Sequence, residues 1–454
     1  MDLEMIGILD QTIILLQQRR EDELRNLLAP LHPADLAEIL EELEDDQRSA
    51  IMHLLSEEAA ADAIAEMEPE DQAAILTGLS EERAQEILEE MSADDVADMV
   101  GELDPQQAGQ ILQLMDAEDA TDVRELLGFR SDSAGGIMTT EFISVHSSLT
   151  ADEAIGEMRQ AAPSAETAYY VYVVDSKEKL VGVLSLRELI IAPPKAQIRE
   201  IMRTAVVSVH VNEDQEEVAR VVKKYNLLAV PVVDDQEVLR GIITVDDVID
   251  VLEEEATEDL YRAGGISEAE QEFDLEGGIW PSIKARIPWL MGLLFLSLVS
   301  GKVIEHFNPL LSSVSALAIF ITTMAGGAGN AATQALTVVV RGLATGEVEM
   351  DHFWWVVWRE TRIGLTIGLI CGVVLGATAT LWHGSVWIGL VVGLSITINL
   401  MLAKAAGSVV PVMIQKIGLD PAVASGPFIA TVTDTTSMLV YFTIASVVMR
   451  MVSQ

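Results

Sequence analysis

The chain has 454 residues, too many for one ordinary domain, and its formal charge is −44. The charge is partitioned: 65 of the 72 acidic residues and 19 of the 28 basic ones precede position 281, and the rest is apolar and nearly neutral. An acidic soluble region argues against nucleic acid, which needs a basic footprint, and against an anionic lipid surface; it suits metal cations, or plain solubility.

In chain order, the first stretch (MDLEMIGILDQTIILLQQRR) is acidic at its start and has no small-residue cleavage site, so it does not read as a secretory signal. The soluble part is expected in the cytoplasm. From 31 to 127 a Leu or Met recurs every 12 residues, at Leu31, Leu43, Leu55, Met67, Leu79, Met91, Leu103, Met115 and Leu127. Each unit opens with a capping-type residue and acids, then turns apolar, which predicts a short capped helix. A fixed period of such units predicts a superhelical stack. A continuous coiled coil competes, but Pro33, Pro69 and Pro105 at unit starts break long helices.

Between 131 and 252, strand-like runs (YYVYVV, LVGVLS, VVSVHV, LLAVPVV, GIITV) alternate with helical ones, and the segment is duplicated. IMTTEFISVH at Ile137 matches IMRTAVVSVH at Ile201, and LVGVLSLREL at Leu180 matches LRGIITVDDV at Leu239. Two β-α-β-β-α copies with these ends resemble a pair of cystathionine-β-synthase-type (CBS) modules. A helical acidic segment (VDDVIDVLEEEATEDLYR) follows and stops at Gly264-Gly265, connecting to the apolar third.

That third holds five apolar stretches, near 286–306, 314–340, 356–382, 385–406 and 423–449, each able to cross roughly 30 Å of hydrocarbon. With the N-terminus inside, Lys284, Arg286, Arg341, Arg359, Arg362, Lys404 and Lys416 fall at cytoplasmic ends; only Lys302 and Arg450 fall outside. The single cysteine, Cys371, excludes an internal disulfide, and so few Cys and His argue against zinc. Of the seven carboxylates after residue 280, six lie in loops or near span ends; Asp434 lies inside the fifth span. A charge at that depth costs several kcal/mol unless it faces a partner or a watery path. Thr431, Thr433, Thr435 and Thr436 make its surroundings oxygen-rich. A two-fold dimer would bring two Asp434 together, suiting a hydrated Mg2+ held through its waters by one or two carboxylates. Mn2+ remains open on these grounds. In the second span Gly326, Gly327 and Gly329 allow close backbone approach or a kink, and Asn330, Thr333 and Gln334 add neutral oxygens. Asn399 and, in the loop assigned after the fourth span, Pro411 are expected helix breaks. Arg359 and Glu360 read as an interfacial ion pair.

End to end, the chain resembles the MgtE family of bacterial magnesium channels, through RIPWL at Arg286, GNAATQ at Gly329, VVVRGLATGE at Val338 and DPAVASGPFIATVTD from Asp420 to Asp434. The resemblance implies a homodimer in the bacterial inner membrane, with a pore lined by the second and fifth spans. Asp434 would hold hydrated Mg2+, assisted by the Ala430 carbonyl and polar neighbours such as Thr431, with Gly329 and Asn330 lining the pore. It implies five parts: an all-α superhelical N-domain (1–130), CBS module 1 (131–198), CBS module 2 (199–252), a connecting or plug helix (253–280) and a five-helix transmembrane domain (281–454).

Acids at spacings of three and four along one helix (Asp247, Asp250, Glu254, Glu255, Glu258, Asp259) share a face and repel one another, as do Asp94, Asp95 and Asp98 of the N-domain. Mg2+ would bridge the two groups and hold the domains compact; its loss would spread them and move the connecting helix from the pore mouth. The resemblance adds Asp214 and Glu216 to this sensor, and departs at Asn226, where the family carries an acid. The CBS resemblance implies adenine-nucleotide binding, with Ser185/Glu188 and Thr244/Asp247 at the ribose and Tyr170 on the base; Leu227 replaces an expected aromatic. No Walker sequence, nucleophile elbow or general-base pair appears, so no enzyme is expected. Two rivals stay open. An ion-coupled carrier would need further intramembrane ionisable groups or inverted repeats. A nucleotide-sensing membrane regulator would leave Asp434 unexplained.

Overall fold

The computed structural model describes residues 3–117, 119–161, 165–266, 279–345, 348, 352–417, 421 and 424–452. Part of the connecting segment (267–278), Gly346 and Glu347 of the VVVRGLATGE motif, and Asp420, Ala422 and Val423 of the last motif lie outside them. The chain forms two compact units, 1–253 and 254–454.

The first unit opens with α1 (Leu3–Gln17) and α2 (Glu21–Leu28). Eight short helices follow: α3 (Pro33–Glu41), α4 (Asp45–Met52), α5 (Glu57–Ala65), α6 (Pro69–Gly78), α7 (Glu81–Leu88), α8 (Ala93–Glu102), α9 (Pro105–Leu114) and α10 (Asp119–Leu126). The starts of α3 to α9 are 12 residues apart, the period read from the sequence. Ser56, Ser80, Ser92 and Asp104 accept backbone N–H bonds as N-caps, and Pro33, Pro69 and Pro105 sit in first turns where no donor is needed. Each helix packs on the one two units on, α3 on α5 through α8 on α10, which stacks them instead of zipping them. Leu43, Leu55, Met67 and Met91 of the repeat are buried, while Leu127 at its end is 38 % exposed.

The duplicated segment folds as β1 (Ser144–His146), α11 (Ala151–Ala161), β2 (Tyr170–Val174), β3 (Leu180–Ser185) and α12 (Leu186–Ile191). After α13 (Ile198–Ile201) comes the second copy: β4 (Val209–His210), α14 (Gln215–Tyr225), β5 (Ala229–Val233), β6 (Leu239–Thr244) and α15 (Val245–Gly264). Both sheets pair parallel then antiparallel, with the irregularity at equivalent positions, Val173/Val174 and Val232/Val233. The entry segments are exchanged: Thr139 of copy one pairs with Ile242 of β6, and Arg203 of copy two with Val183 of β3. The two copies are therefore one interlocked body, because each completes the other's sheet.

The second unit holds α16 (Ile279–His306), α17 (Asn308–Ser313), α18 (Ala316–Ile319), α19 (Ile321–Ala344), α20 (Phe353–His383), α21 (Val386–Lys416) and α22 (Gly426–Val452). Among the described residues, α16, α20, α21 and α22 are long and apolar enough to cross a membrane. The 24-residue α19 is long enough, but its Gly, Thr, Asn and Gln content leaves it less apolar. Trp354, Trp355, Trp358, Trp382 and Trp387 are exposed near helix ends, where indoles anchor at an interface.

Three expectations are corrected here. The second apolar stretch is not one helix from 314: residues 316–319 form the separate short α18, and the chain breaks at Phe320 (φ −92°, ψ −2°) before α19. Neither Asn399 nor Pro411 breaks a helix, since α21 runs through both to Lys416. Proline is tolerated inside a spanning helix where neighbouring helices shield the freed carbonyl, and here Gly407, four residues earlier, lies directly against the Ala332 backbone. This continuation puts Lys404 inside the bundle instead of at its cytoplasmic edge. Its Nζ lies 3.4 Å from Glu360, whose other oxygen is 3.7 Å from Arg359. Glu360 and Lys404 are 4 % and 5 % exposed, so the ion pair is buried, not interfacial, and Asp434 is not the one carboxylate held within the helices.

Helices α20 and α21 approach closely along Gly364, Gly368, Gly372 and Gly376. A Cβ at Gly368 would meet the Thr397 carbonyl oxygen at 2.6 Å and its Cα at 3.0 Å, both backbone atoms that cannot swing aside. Gly368→Val is therefore expected to destabilise the bundle by about 1–3 kcal/mol. Gly292→Ala, in open space on α16, is the neutral control. Thermal inactivation of detergent-solubilised protein measures both; equal midpoints would refute the close packing.

Candidate functional site

Asp434 is half-buried in the third turn of α22 and faces α19 across its smallest residue. A Cβ at Gly329 would lie 3.3 Å from Ala430 Cβ and 3.4 Å from Asp434 Oδ1, so glycine gives the closest approach of the two helices beside the carboxylate. The hydroxyls around it bond back into their own helix: Thr431 Oγ1 to Pro427 O, Thr433 Oγ1 to Ile429 O and Ala430 O, Thr436 Oγ1 to Val432 O. Ser437 Oγ donates to Asp434 O at 2.9 Å. The carbonyl of Ala430, expected to assist an ion, thus accepts from Thr433. Among the described residues, the Asp434 carboxylate has no hydrogen-bond or ion-pair partner in the chain, a costly state inside a membrane unless a cation or water meets it. Asn330, one residue on from Gly329, opens instead into a groove of about 470 Å³ walled by α20 and α21, with Gln334, Cys371 and Lys404.

The acids of the first unit gather where α8 meets the second CBS copy. Asp94 is 9 % exposed and its Oδ1 has no partner. Burial, then the field of Asp95, pushes its carboxyl up, and burial does the same to Asp95. Asp98 keeps an exposed edge, yet the protein around its carboxyl and the charges of Asp94, Asp95 and Asp247 push it up to about 7. Asp247, bonded at 2.5 Å by the Thr244 hydroxyl, is raised by burial and by Asp94 to about 6. Burial raises Asp250 too. Two further acids belong here that the sequence reading passed over. Glu141 and Glu166 are each raised to about 7, by burial and then by Asp94, and Glu166 N donates to Glu141 O. Copy-to-copy comparison held the signal: Glu141 stands where the second copy has Ala205, and Glu166, four residues before β2, stands where it has Tyr225. Among the described residues no three His, Cys, Asp or Glu side chains converge tightly enough to ligate one ion. The cluster is a field of strained carboxylates instead of a finished cage.

The other expected sensor residues lie elsewhere. Asp214 caps α14 by accepting from Glu216 N, and Glu216 pairs with Arg220 at 2.7 Å. Asn226 ends α14 in the left-handed conformation (φ 50°, ψ 51°), which Asn adopts readily. Glu254, Glu255, Glu258 and Asp259 continue along α15 in the second unit, where Glu258 pairs with Arg262.

On the opposite side of the CBS pair lies a cavity of about 310 Å³, lined by Tyr170, Tyr172, Ser185, Glu188, Arg203, Tyr225 and Leu227. Glu188 reciprocates the Ser185 cap and binds Arg203 at 2.5 Å; the Ser185 backbone N–H first, and then Arg203, hold its carboxyl below the usual range. Thr244 and Asp247 are the second-copy counterparts of Ser185 and Glu188, and the structure puts them with the acids instead. The two pseudo-equivalent sites have diverged: one keeps an aromatic cavity, and the other is packed with carboxylates under α8.

In the second unit the end of α15 rests on α16. Gly265 (φ +76°) leaves no room for a side chain against the Trp289 indole, and Trp289 stacks obliquely on Phe428 of α22 at 6.2 Å. A Cβ at Gly426 would lie 3.8 Å from the Ala263 carbonyl oxygen, so the end of the connecting helix lies beside the first turn of the helix that carries Asp434.

Three sequence models of known families match the chain. A divalent cation transporter domain (MgtE) matches 321–444, an MgtE intracellular N domain matches 31–132, and CBS domains match 134–195 and 198–254. A magnesium transporter MgtE of Enterococcus faecalis is 42 % identical over 72 % of both chains, and one of Bacillus subtilis is 39 % identical over 71 % of both. One of Thermus thermophilus is 38 % identical over 73 % of both. Among solved structures, the cytosolic domain of the Mg2+ channel MgtE in complex with ATP is 41 % identical (TM-score 0.51), covering 54 % of this chain and 99 % of that one. The soluble part of a magnesium transporter is 37 % identical (TM-score 0.52), covering 56 % and 99 %.

Proposed function

The chain belongs to the MgtE family of divalent cation transporters, and from that premise we propose that it is a Mg2+-selective channel closed by cytoplasmic Mg2+. It is a multi-pass membrane protein with an intracellular N-terminal part. The observation that carries the reading is the unpartnered carboxylate of Asp434 against Gly329, with α19 taken as a fifth crossing. A carrier coupled to H+ or Na+ finds no specific support, since among the described residues of the second unit the buried carboxylate of Glu360 is paired with Lys404. In this reading two chains pair about a two-fold axis, bringing two Asp434 carboxylates to one hydrated ion. Exposed Ile190, Ile191, Ile249 and Leu252 on the first unit give such a pair an apolar contact. The five-part division, 1–130, 131–198, 199–252, 253–280 and 281–454, is part of the same proposal.

Closure follows from the acid field. Mg2+ entering among Asp94, Asp95, Asp98, Asp247, Glu141 and Glu166 relieves their repulsion and compacts the first unit, while the remaining acids of α15, with Asp214 and Glu216, add further Mg2+ contacts. The contact of the α15 end with Trp289, which in turn packs on Phe428, carries the change toward α22 as a plug. ATP is proposed for the Tyr170–Arg203 cavity, in line with the ATP complex of the similar cytosolic domain.

Inside-out patches of the purified chain in liposomes test the whole reading. Cytoplasmic-side Mg2+ is stepped from micromolar to about 10 mM, with and without ATP. Unitary Mg2+ currents should close as internal Mg2+ rises, and ATP should shift the closing concentration. Uptake without unitary currents would replace the channel by a carrier, and currents indifferent to internal Mg2+ would remove the sensor.

A further inference from the structure

Inside the second unit, α21 is the central post. It is the most buried of the apolar helices, and Thr397 Oγ1 donates to Gly368 O of α20 at 2.9 Å while Lys404 pairs with Glu360. Its inward face is largely apolar (Val391, Val392, Ile396, Leu400), and one of its buried polar residues, Asn399, reaches toward the ion site. Asn399 is 2 % exposed, and its Nδ2 donates to the Ser437 carbonyl of α22 at 3.3 Å, with Met324 Sδ of α19 at 3.8 Å. Its Oδ1 has no partner. An amide at this depth with half its capacity unmet is costly, and an apolar residue would pack the seam at less expense.

What the amide holds is the turn that carries Asp434, since Ser437 Oγ donates to Asp434 O. On the other flank of that turn, Thr435 Oγ1 and Ser300 Oγ of α16 lie 2.6 Å apart. At 3.6 residues per turn, Ser437 and Thr435 stand about 60° and 100° to either side of Asp434. The two tethers therefore oppose rotation of α22 in both directions, and the one from α21 is anchored by that helix's close packing against α20. We infer that Asn399 is a positioning residue for the ion site, fixing through the Ser437 carbonyl the direction in which Asp434 faces. This rests on the reading of Asp434 as the ion-binding carboxylate.

The test is Asn399→Leu in full-length protein in liposomes, reading half-saturating Mg2+ for current and the Mg2+/Na+ reversal potential. The Ser437 carbonyl keeps its place in α22, so the fold has no new unmet group. The variant should raise half-saturating Mg2+ about tenfold and lower Mg2+ preference over Na+, and Asn399→Gln, which retains a donor, should recover part of both. If Asn399→Leu fails to assemble, Asn399→Ser, too short to reach Ser437, is read the same way. Fewer channels with unchanged half-saturation and reversal potential would make Asn399 merely structural and overturn the inference. An Asp434→Ala channel conducting as wild type would instead remove the ion-site reading itself.

Discussion

Asp434→Ala is expected to abolish Mg2+ currents and to reduce Mg2+ uptake into liposomes by at least a hundredfold, while the protein still elutes as a folded assembly. A divalent ion about 6 Å from one carboxylate, at an effective dielectric constant of about 20, gains about 5 kcal/mol of Coulomb energy. Each 1.4 kcal/mol is tenfold in occupancy, so losing that attraction in both chains of a pair empties the site. The fold should survive, because the carboxylate has no protein partner whose loss would leave a buried group unmet. Asp434→Asn should fall between, since the amide can still bond to the ion's waters but offers no net charge. Uptake in Asp434→Ala within a few-fold of wild type would sink the site, and with it the case that α19 and α22 form the conducting path.

The acid field makes a second large prediction, on pH. Asp98, Glu141 and Glu166 sit near 7 and Asp247 near 6 in the folded unit, against ordinary values of 3.8 for Asp and 4.5 for Glu. Folded pKa values raised above unfolded ones mean that the compact state binds more protons than the open one across that interval. The stability this gives is complete below about pH 4 and is lost as pH rises through about 7. Without divalent cations, the first unit of the full-length protein should therefore be cut by protease about tenfold faster at pH 8 than at about pH 5.5. About 10 mM Mg2+ should remove most of that difference, doing at pH 8 what protons do in acid. The double variant Asp98→Asn, Asp247→Asn should be protected at pH 8 without Mg2+, because it lacks the repulsion that opens the wild type. Protection that is flat with pH, or a double variant more sensitive than wild type at every Mg2+ concentration, would mean these carboxylates form an ordinary solvated face.

The sequence by itself determined the periodic and covalently local features. A 12-residue recurrence of Leu and Met with caps and prolines leaves a short-helix stack as the arrangement that buries one stripe per helix, and α3 to α9 keep that spacing. The duplicated ends around Ile137 and Ile201 fixed the two-copy α/β body. The break in charge at position 281 and long apolar runs set the membrane third, because uncompensated charge cannot lie in hydrocarbon. Asp434 was legible for the same reason.

What only the tertiary structure decided depends on which distant residues meet. Lys404 and Glu360 each read as a flanking charge, and become a buried pair only once α21 continues through Pro411 and packs along the glycines of α20. Glu141 and Glu166 are unremarkable acids until α8 brings Asp94 against them, and no local spacing records a field made by three separate segments. The division of the two CBS sites into an aromatic cavity and an acidic one likewise follows from α8, which brings Asp94 against only one of them. Asn399 read as a helix break from its chemistry alone. Its partner is a backbone carbonyl 38 residues on, and a carbonyl carries no sequence signal, so only packing could show what the amide holds.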